Sequence, residues 1–92
     1  MVYILVNLKL ESYDKWKSLF NERATIRQES GSYEAHLFRN SEDFNEVTIL
    51  FKWDNFENAR NYFESESLQK ALKNGSTQEI TITYLDEIAK TI

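Results

Sequence analysis

Two arginines set four residues apart carry the sharpest chemical signal in this 92-residue chain. At 100° per residue, Arg23 and Arg27 fall in the middle of the helical stripe formed by Trp16 and Phe20, so two cations point where an apolar face belongs. Guanidinium forks in that position would clamp a carboxylate or phosphate at one end of a cleft, with Trp16 free to stack on the ligand. A blander account competes with it. Both residues lie in the last turns of a helix, where a cation suits the negative end of the dipole and a long side chain can snorkel past the core or pair with Glu34 or Asp86. The groups able to move a proton are His36, the only histidine, and the phenols of Tyr62 and Tyr84, while Asn7 can hydrogen-bond a phenolic oxygen or oxyanion. His36, Asn7 and Tyr84 are therefore the catalytic candidates. The ligand-binding cleft is expected to hold Asn7, Trp16, Phe20, Arg23, Arg27, Trp53 and Tyr62. Each has a purely structural alternative: a hydrogen-bonded strand residue for His36, and core or dimer-contact aromatics for Trp16 and Trp53. Arg39 reads as a rim charge, and Glu64 with Glu66 as a solvated face.

Composition removes most other chemistries. There is no Cys, hence no thiolate nucleophile and no disulfide, and a single His falls short of the ligand set a zinc site needs. Only two glycines are present, too few for a phosphate-cradling loop, and no Ser has the nearby base and orienter of a triad. No metal and no cofactor is expected. Fifteen acidic against eleven basic residues give a net charge of −4, which repels a phosphate backbone and offers no stripe for anionic lipid, so neither nucleic acid nor membrane is an expected partner. No apolar run approaches the roughly 18 residues of a membrane span, and the N-terminus lacks the features of a secretory signal, which points to a cytoplasmic protein. The glycosylation-type triplet Asn74-Gly75-Ser76 then has no secretory route to act on.

The elements that must position these residues follow from periodicity. Val2 to Leu10 alternates, with Val2, Ile4, Val6, Leu8 and Leu10 on one face and Tyr3, Leu5, Asn7 and Lys9 on the other. A helix starting from a Ser12 or Asp14 cap follows, with Tyr13, Trp16, Phe20 and Ala24 in its stripe, Leu19 and Ile26 at the stripe's edge, and an end near Gly31. Tyr33 to Arg39 and Glu46 to Trp53 read as a hairpin joined by the polar segment Asn40 to Asn45. Asp54, with Glu57 completing a capping box, opens a second helix whose inner face holds Phe56, Ala59, Tyr62 or Phe63, Leu68, Ala71 and Leu72, bent near Ser65-Glu66-Ser67. Gly31 and Gly75 fall where the two helices stop, positions at which a left-handed backbone favours a residue without Cβ. Glu79 to Leu85 closes the series as a fourth strand.

Residues 1–92 thus read as one α+β domain in the order βαββαβ, a ferredoxin-like sandwich. Right-handed crossovers place strands one and three in the middle of a four-stranded antiparallel sheet and both helices on one of its faces. Either parity of the first strand leaves large apolar groups on the other face, and a 92-residue chain without disulfides gains burial most readily by pairing with itself.

Over nearly its whole length the sequence resembles the dimeric α+β barrel superfamily, which includes antibiotic-biosynthesis monooxygenase-like domains and haem-degrading monooxygenases. The resemblance rests on Asp43 to Trp53, a strand ending in Trp, and on the helix with Ala59, Tyr62, Phe63, Ser65 and Leu68. It implies a homodimer with two sheets face to face and a ligand cleft between sheet and helices in each subunit. Haem degradation within that group uses an Asn on the first strand, a Trp on the second helix and a later His as iron ligand. Here Asn7 matches the first, but Tyr62 stands at the Trp position, Leu72 lies near the ligand position, and the one His is on the second strand; that activity is not expected. Cofactor-free oxygenation remains, in which an electron-rich aromatic substrate supplies the electrons and the protein a shaped apolar cleft. Two functional classes follow: a protein that binds or oxygenates a small, partly aromatic or anionic molecule, and a non-catalytic interaction dimer whose aromatics are simply packed. Cleft volume separates them, since a few hundred Å³ favours the first and a space filled by Trp16, Phe20, Tyr62 and Phe63 the second.

Overall fold

A computed structural model describes all residues, 1–92. Its elements are β1 (Val2–Leu10), α1 (Tyr13–Glu22), α2 (Ala24–Glu29), β2 (Ser32–Arg39), β3 (Glu46–Trp53), α3 (Phe56–Phe63), α4 (Glu66–Asn74) and β4 (Thr77–Leu85). The strands form one antiparallel sheet in the order β2-β3-β1-β4, the ferredoxin-like arrangement, with the helices on one face. Within a single chain the sheet stays open, with β2 and β4 as free edges, and the molecule is a slab of 35 × 32 × 18 Å. A thickness of 18 Å accommodates one sheet and one helical layer and nothing more.

The parity of β1, which alternation alone leaves open, is settled by burial. Ile4, Val6, Leu8 and Leu10 are buried under the helices beside Val47, Ile49, Phe51 and Trp53 of β3. Tyr3, Leu5, Asn7 and Lys9 look the other way, in cross-strand rows with Lys52, Leu50, Thr48 and Glu46. The helix-side face is a continuous aromatic layer. Phe51 lies 5.5 Å from Phe63 and 5.7 Å from Trp53, and Trp53 lies 5.2 Å from Tyr62 between ring centres.

Both helical arms are divided, the first where an unbroken helix is expected and the second at its expected bend. The first is interrupted at Arg23 (φ −92°, ψ 6°), which ends α1 and starts α2. Beyond it Ala24 and Ile26 face outward, Ile26 being 43% exposed, and Arg27 faces in. The second arm breaks where the Ser-Glu-Ser segment predicts a bend: Ser65 caps α4 by accepting from the Leu68 amide at 3.1 Å. A Ser hydroxyl so placed satisfies an amide that a new helix start leaves free. Ser12 caps α1 as expected, its Oγ accepting from Lys15 N. The cap of α3 is Asn55 rather than Asp54, because Asp54 is engaged with the Asn55 amide and the Asn58 side chain. Glu57 therefore sits one position too early for a capping box.

The two glycines act for different reasons. Gly31 has φ +116°, and a Cβ there would come 2.4 Å from the Asp54 carboxylate. Gly75 is not left-handed; its φ is −91°, and what requires glycine is the close approach of α4 to Leu19, 2.8 Å from where a Cβ would stand. The left-handed residue is its neighbour Ser76, φ 66°. The buried Ser76 hydroxyl donates to Ser12 O at 2.9 Å and accepts from Ser12 N at 3.2 Å, locking the α4–β4 turn to the start of α1.

Candidate functional site

Between the helix-side face of the sheet and the helices lies a cavity of about 60 Å³. Thirteen of its fifteen lining residues are hydrophobic, and the other two are Arg23 and Arg27. Val6 and Leu8 of β1 with Ile49 and Phe51 of β3 form the floor. Trp16 and Phe20 of α1, Tyr62 and Phe63 of α3, and Leu68 and Leu72 of α4 form the walls. Trp16 and Phe20, and Leu68 and Leu72, are spaced four apart, so the amphipathic stripes that fold the chain also line the void.

The volume decides what the site can hold as it stands. Liquid water occupies about 30 Å³ per molecule, and a cavity that takes benzene is on the order of 150 Å³. The void therefore matches about two waters or a small acid head and not a ring. Trp16 and Phe20 stack at 5.1 Å, and Tyr62 and Phe63 pack at 5.1 Å, filling most of the space as a packed scaffold would. Leu19, Phe20, Leu72 and Ile80 are only half-buried, so the lining can move there with least loss of core contact.

The two cations are held by neutral groups. Arg27 is 8% exposed; its Nη1 donates to Phe20 O at 2.7 Å and its guanidinium carbon lies 3.7 Å above the Phe20 ring. Burial pushes the Arg27 guanidinium below its usual value, with nearby Arg23 adding to that and Tyr62 opposing it. It remains a cation at neutral pH. Arg23 donates Nε to the Tyr62 hydroxyl at 3.3 Å and Nη1 to Ser67 Oγ at 3.2 Å, while its Nη2 is buried without an acceptor. Neither Glu34 nor Asp86 pairs with either arginine. The chain's ion pairs are Lys9–Glu79, His36–Glu34 and Lys70–Glu66, and none of their members lines the cavity.

Of the residues proposed from sequence for the cleft, Trp16, Phe20, Arg23, Arg27 and Tyr62 line the cavity. Trp53 does not: it is fully buried behind Tyr62 and Phe63, with its indole N–H bonded to Ser30 O at 2.9 Å. Asn7 points to the opposite face of the sheet, exposed, accepting from the Thr48 hydroxyl at 2.7 Å. Its odd-numbered parity on β1 puts it there. His36 shares that open face opposite Leu50, 3.5 Å from Glu34. Tyr84 sits on the helix side but at the β4 edge, against Phe56 and under Arg60. Desolvation, then the Glu64 charge, raises the Tyr84 phenol above its usual value, with Arg60 working against them, so at neutral pH it can donate but not abstract a proton. The three catalytic candidates are thus not brought together. Arg39 stacks 3.8 Å over Tyr13 at the rim. Phe51, Phe63, Leu19 and Leu72 are lining residues absent from the sequence-based set, although the helical stripe and the β3 alternation contain their signal.

An open ferredoxin-like sheet roofed by helices over an aromatic void defines an α+β protein with a sheet–helix pocket. Residues 1–74 match the antibiotic biosynthesis monooxygenase family, and the chain belongs to it. The fold is shared with a solved antibiotic biosynthesis monooxygenase, at 17% identity and a TM-score of 0.75, covering 97% of this chain and all of that one. It is shared with SnoaB of Streptomyces nogalater, described as a cofactor-independent oxygenase, at 11% identity and a TM-score of 0.81 over 97% of this chain and 94% of that one. A third, Rv0793 of Mycobacterium tuberculosis, is 12% identical with a TM-score of 0.73 over 99% and 98%. No curated protein matches the sequence. No helix is long and apolar enough to cross a membrane.

The arrangement implies that the Arg27 charge does not serve stability. A buried cation costs several kcal/mol in desolvation, against about 1.5–3 kcal/mol for a charge-assisted hydrogen bond and up to about 2 for stacking on a ring. The terms nearly cancel. Arg27→Met, of similar length and apolar, should leave the urea-unfolding free energy within about 1 kcal/mol of the parent; a loss above about 3 kcal/mol would show a charge needed for folding.

Proposed function

We propose that the protein is a cofactor-free oxygenase of an electron-rich, phenolic aromatic molecule, acting as a homodimer, with the substrate held between the sheet and the helices. The observation that carries this reading is the aromatic, arginine-ended cavity in the sheet–helix layer of a member of the antibiotic biosynthesis monooxygenase family. SnoaB, which shares the fold, supports the reaction class by analogy. The non-catalytic dimer is the weaker reading. A volume of only about 60 Å³, filled by Trp16, Phe20, Tyr62 and Phe63, favours it on the criterion of cleft volume; family membership and two cations at the cavity wall, from which a packed scaffold gains nothing, outweigh that volume here.

In such a reaction the ring supplies the electrons. Dioxygen converts a ring CH2 carbon to C=O: one oxygen atom enters the carbonyl, the other leaves as water with the two hydrogens, and four electrons pass from substrate to O2. This chain's residues would hold the ring on Trp16, Phe20 and Phe51 and keep bulk water away. The Tyr62 hydroxyl accepts from Arg23 Nε and keeps its own proton free to bond a substrate oxygen. A ring enters only if Leu19, Phe20 and Leu72 move outward, and the helix breaks at Arg23 and Ser65 let each arm bend there.

The dimer reading rests on the open face. Leu5 and Leu50 lie directly opposite each other there, Tyr3 and Leu85 lie in the next row, and Phe38 is 56% exposed. A second copy, sheet to sheet, would take this apolar surface from water and close the barrel.

Two outcomes are expected. With a hydroxyanthrone as probe and no added metal or cofactor, the protein should consume one O2 per anthraquinone formed, and Tyr62→Phe should slow this at least tenfold; uptake no faster than in buffer alone would refute the oxygenase reading. In sedimentation at micromolar concentration the chain should run at twice its mass and Leu50→Glu at single mass, whereas a monomeric parent would remove the dimer.

A further inference from the structure

We infer that Arg23 and Arg27 form an anion site built for the carboxylate of an aromatic acid, so that the ligand enters this cavity acid head first. The inference rests on the reading of the sheet–helix cavity as the ligand site, and it names a feature of the ligand that the reading leaves free.

The arginines are the only charged side chains in a mostly apolar lining, whose other polar groups are the Tyr62 hydroxyl and the Trp16 indole N–H. Fifteen carboxylates are available in the chain, yet none lies within ion-pair distance of either guanidinium. The Arg27 cation is met by a carbonyl and a ring but by no counter-ion, and the buried, unbonded Arg23 Nη2 is a donor with no acceptor. One incoming carboxylate relieves both. Its two oxygens match a guanidinium fork, and charge-assisted bonds of this kind are about twice as strong as neutral ones.

The direction of approach follows from the surrounding charges. The cleft outside Arg23 is lined by Glu29 and Asp54, and the groove outside Arg27 by Glu29, Glu34 and Asp54. An anion arriving from either outer side meets carboxylates first. On the inner side it meets only apolar walls and the two cations, and low dielectric strengthens the attraction. The void of about 60 Å³ is the size of an acid head, with Phe20 at the position where an attached ring begins. A phosphate is a poorer match, since a dianion needs more donors than the two forks leave free.

The test is calorimetric binding to the full chain under argon, where no turnover occurs, with benzoate, benzamide and inorganic phosphate as probes. Benzoate is expected to bind at least tenfold tighter than benzamide. Arg23→Gln, at a half-buried position, is expected to bring benzoate down to the benzamide level, and Arg27→Lys to weaken it about tenfold by losing the fork. Lys73→Gln, an exposed cation elsewhere, should change nothing. Equal affinity for benzoate and benzamide, no binding of either, benzoate preference retained in a folded Arg23→Gln, or phosphate outcompeting benzoate would each overturn the anion site. Benzoate selectivity without oxygen uptake in the earlier assay would keep the anion site and discard the oxygenase; oxygen uptake without that selectivity would do the reverse.

Discussion

The indole of Trp53 sets the spacing between sheet and helices, and every feature of the site depends on it. The ring is fully buried, in contact with Phe51 on its own strand and with Tyr62 and Phe63 on α3. Its N–H reaches Ser30 O at the end of α2, so one side chain ties β3 to both helical arms. An aromatic of this size buries on the order of 200 Å², worth about 5 kcal/mol at the usual area coefficient. With β3 and the end of α2 fixed, the position of Arg27, three residues before Ser30, is fixed as well. The cavity is what remains when these large rings meet without filling the corner between α1 and α4.

Holding two cations against that cavity sacrifices packing that an apolar pair would supply. Native cores retain such groups where binding or chemistry uses them. At 100° per residue an unbroken helix already turns Arg27 toward Trp16 and Phe20, so the guanidinium's direction comes from the stripe and is kept across the break.

Much of the fold was legible because period-2 and period-3.6 patterns are strong and do not overlap in this chain. The bounds of β1 and β3 match the alternation residue for residue, and the strand order follows from handed crossovers alone. Parity was not legible, since Val2, Ile4 and Val6 compete with Tyr3 and Leu5 for the core, and only packing against β3 decides. Asn7 was assigned to the cleft as a hydrogen-bonding group on β1, and its place on the open face is the direct consequence of that undecided parity. The helix break at Arg23 has no Gly or Pro to announce it. Gly75 looked like a left-handed stop, but its lack of a side chain answers a contact with Leu19, 56 residues away in sequence and adjacent in space. Arg23, Arg27, Trp16, Phe20 and Tyr62 were legible as a group because one helical stripe and one aromatic-rich helix face converge on the same layer.

On the reading proposed above, the cavity between sheet and helices receives a ligand's acid group at the two arginines. A crystal structure of the protein grown anaerobically with benzoate tests it most directly. A carboxylate oxygen is expected about 3 Å from Arg23 Nη2, with the benzoate ring against Phe20 and Leu72 and those side chains moved outward. Benzoate seated on the open face beside Asn7 and His36, with the cavity closed as before, would contradict it.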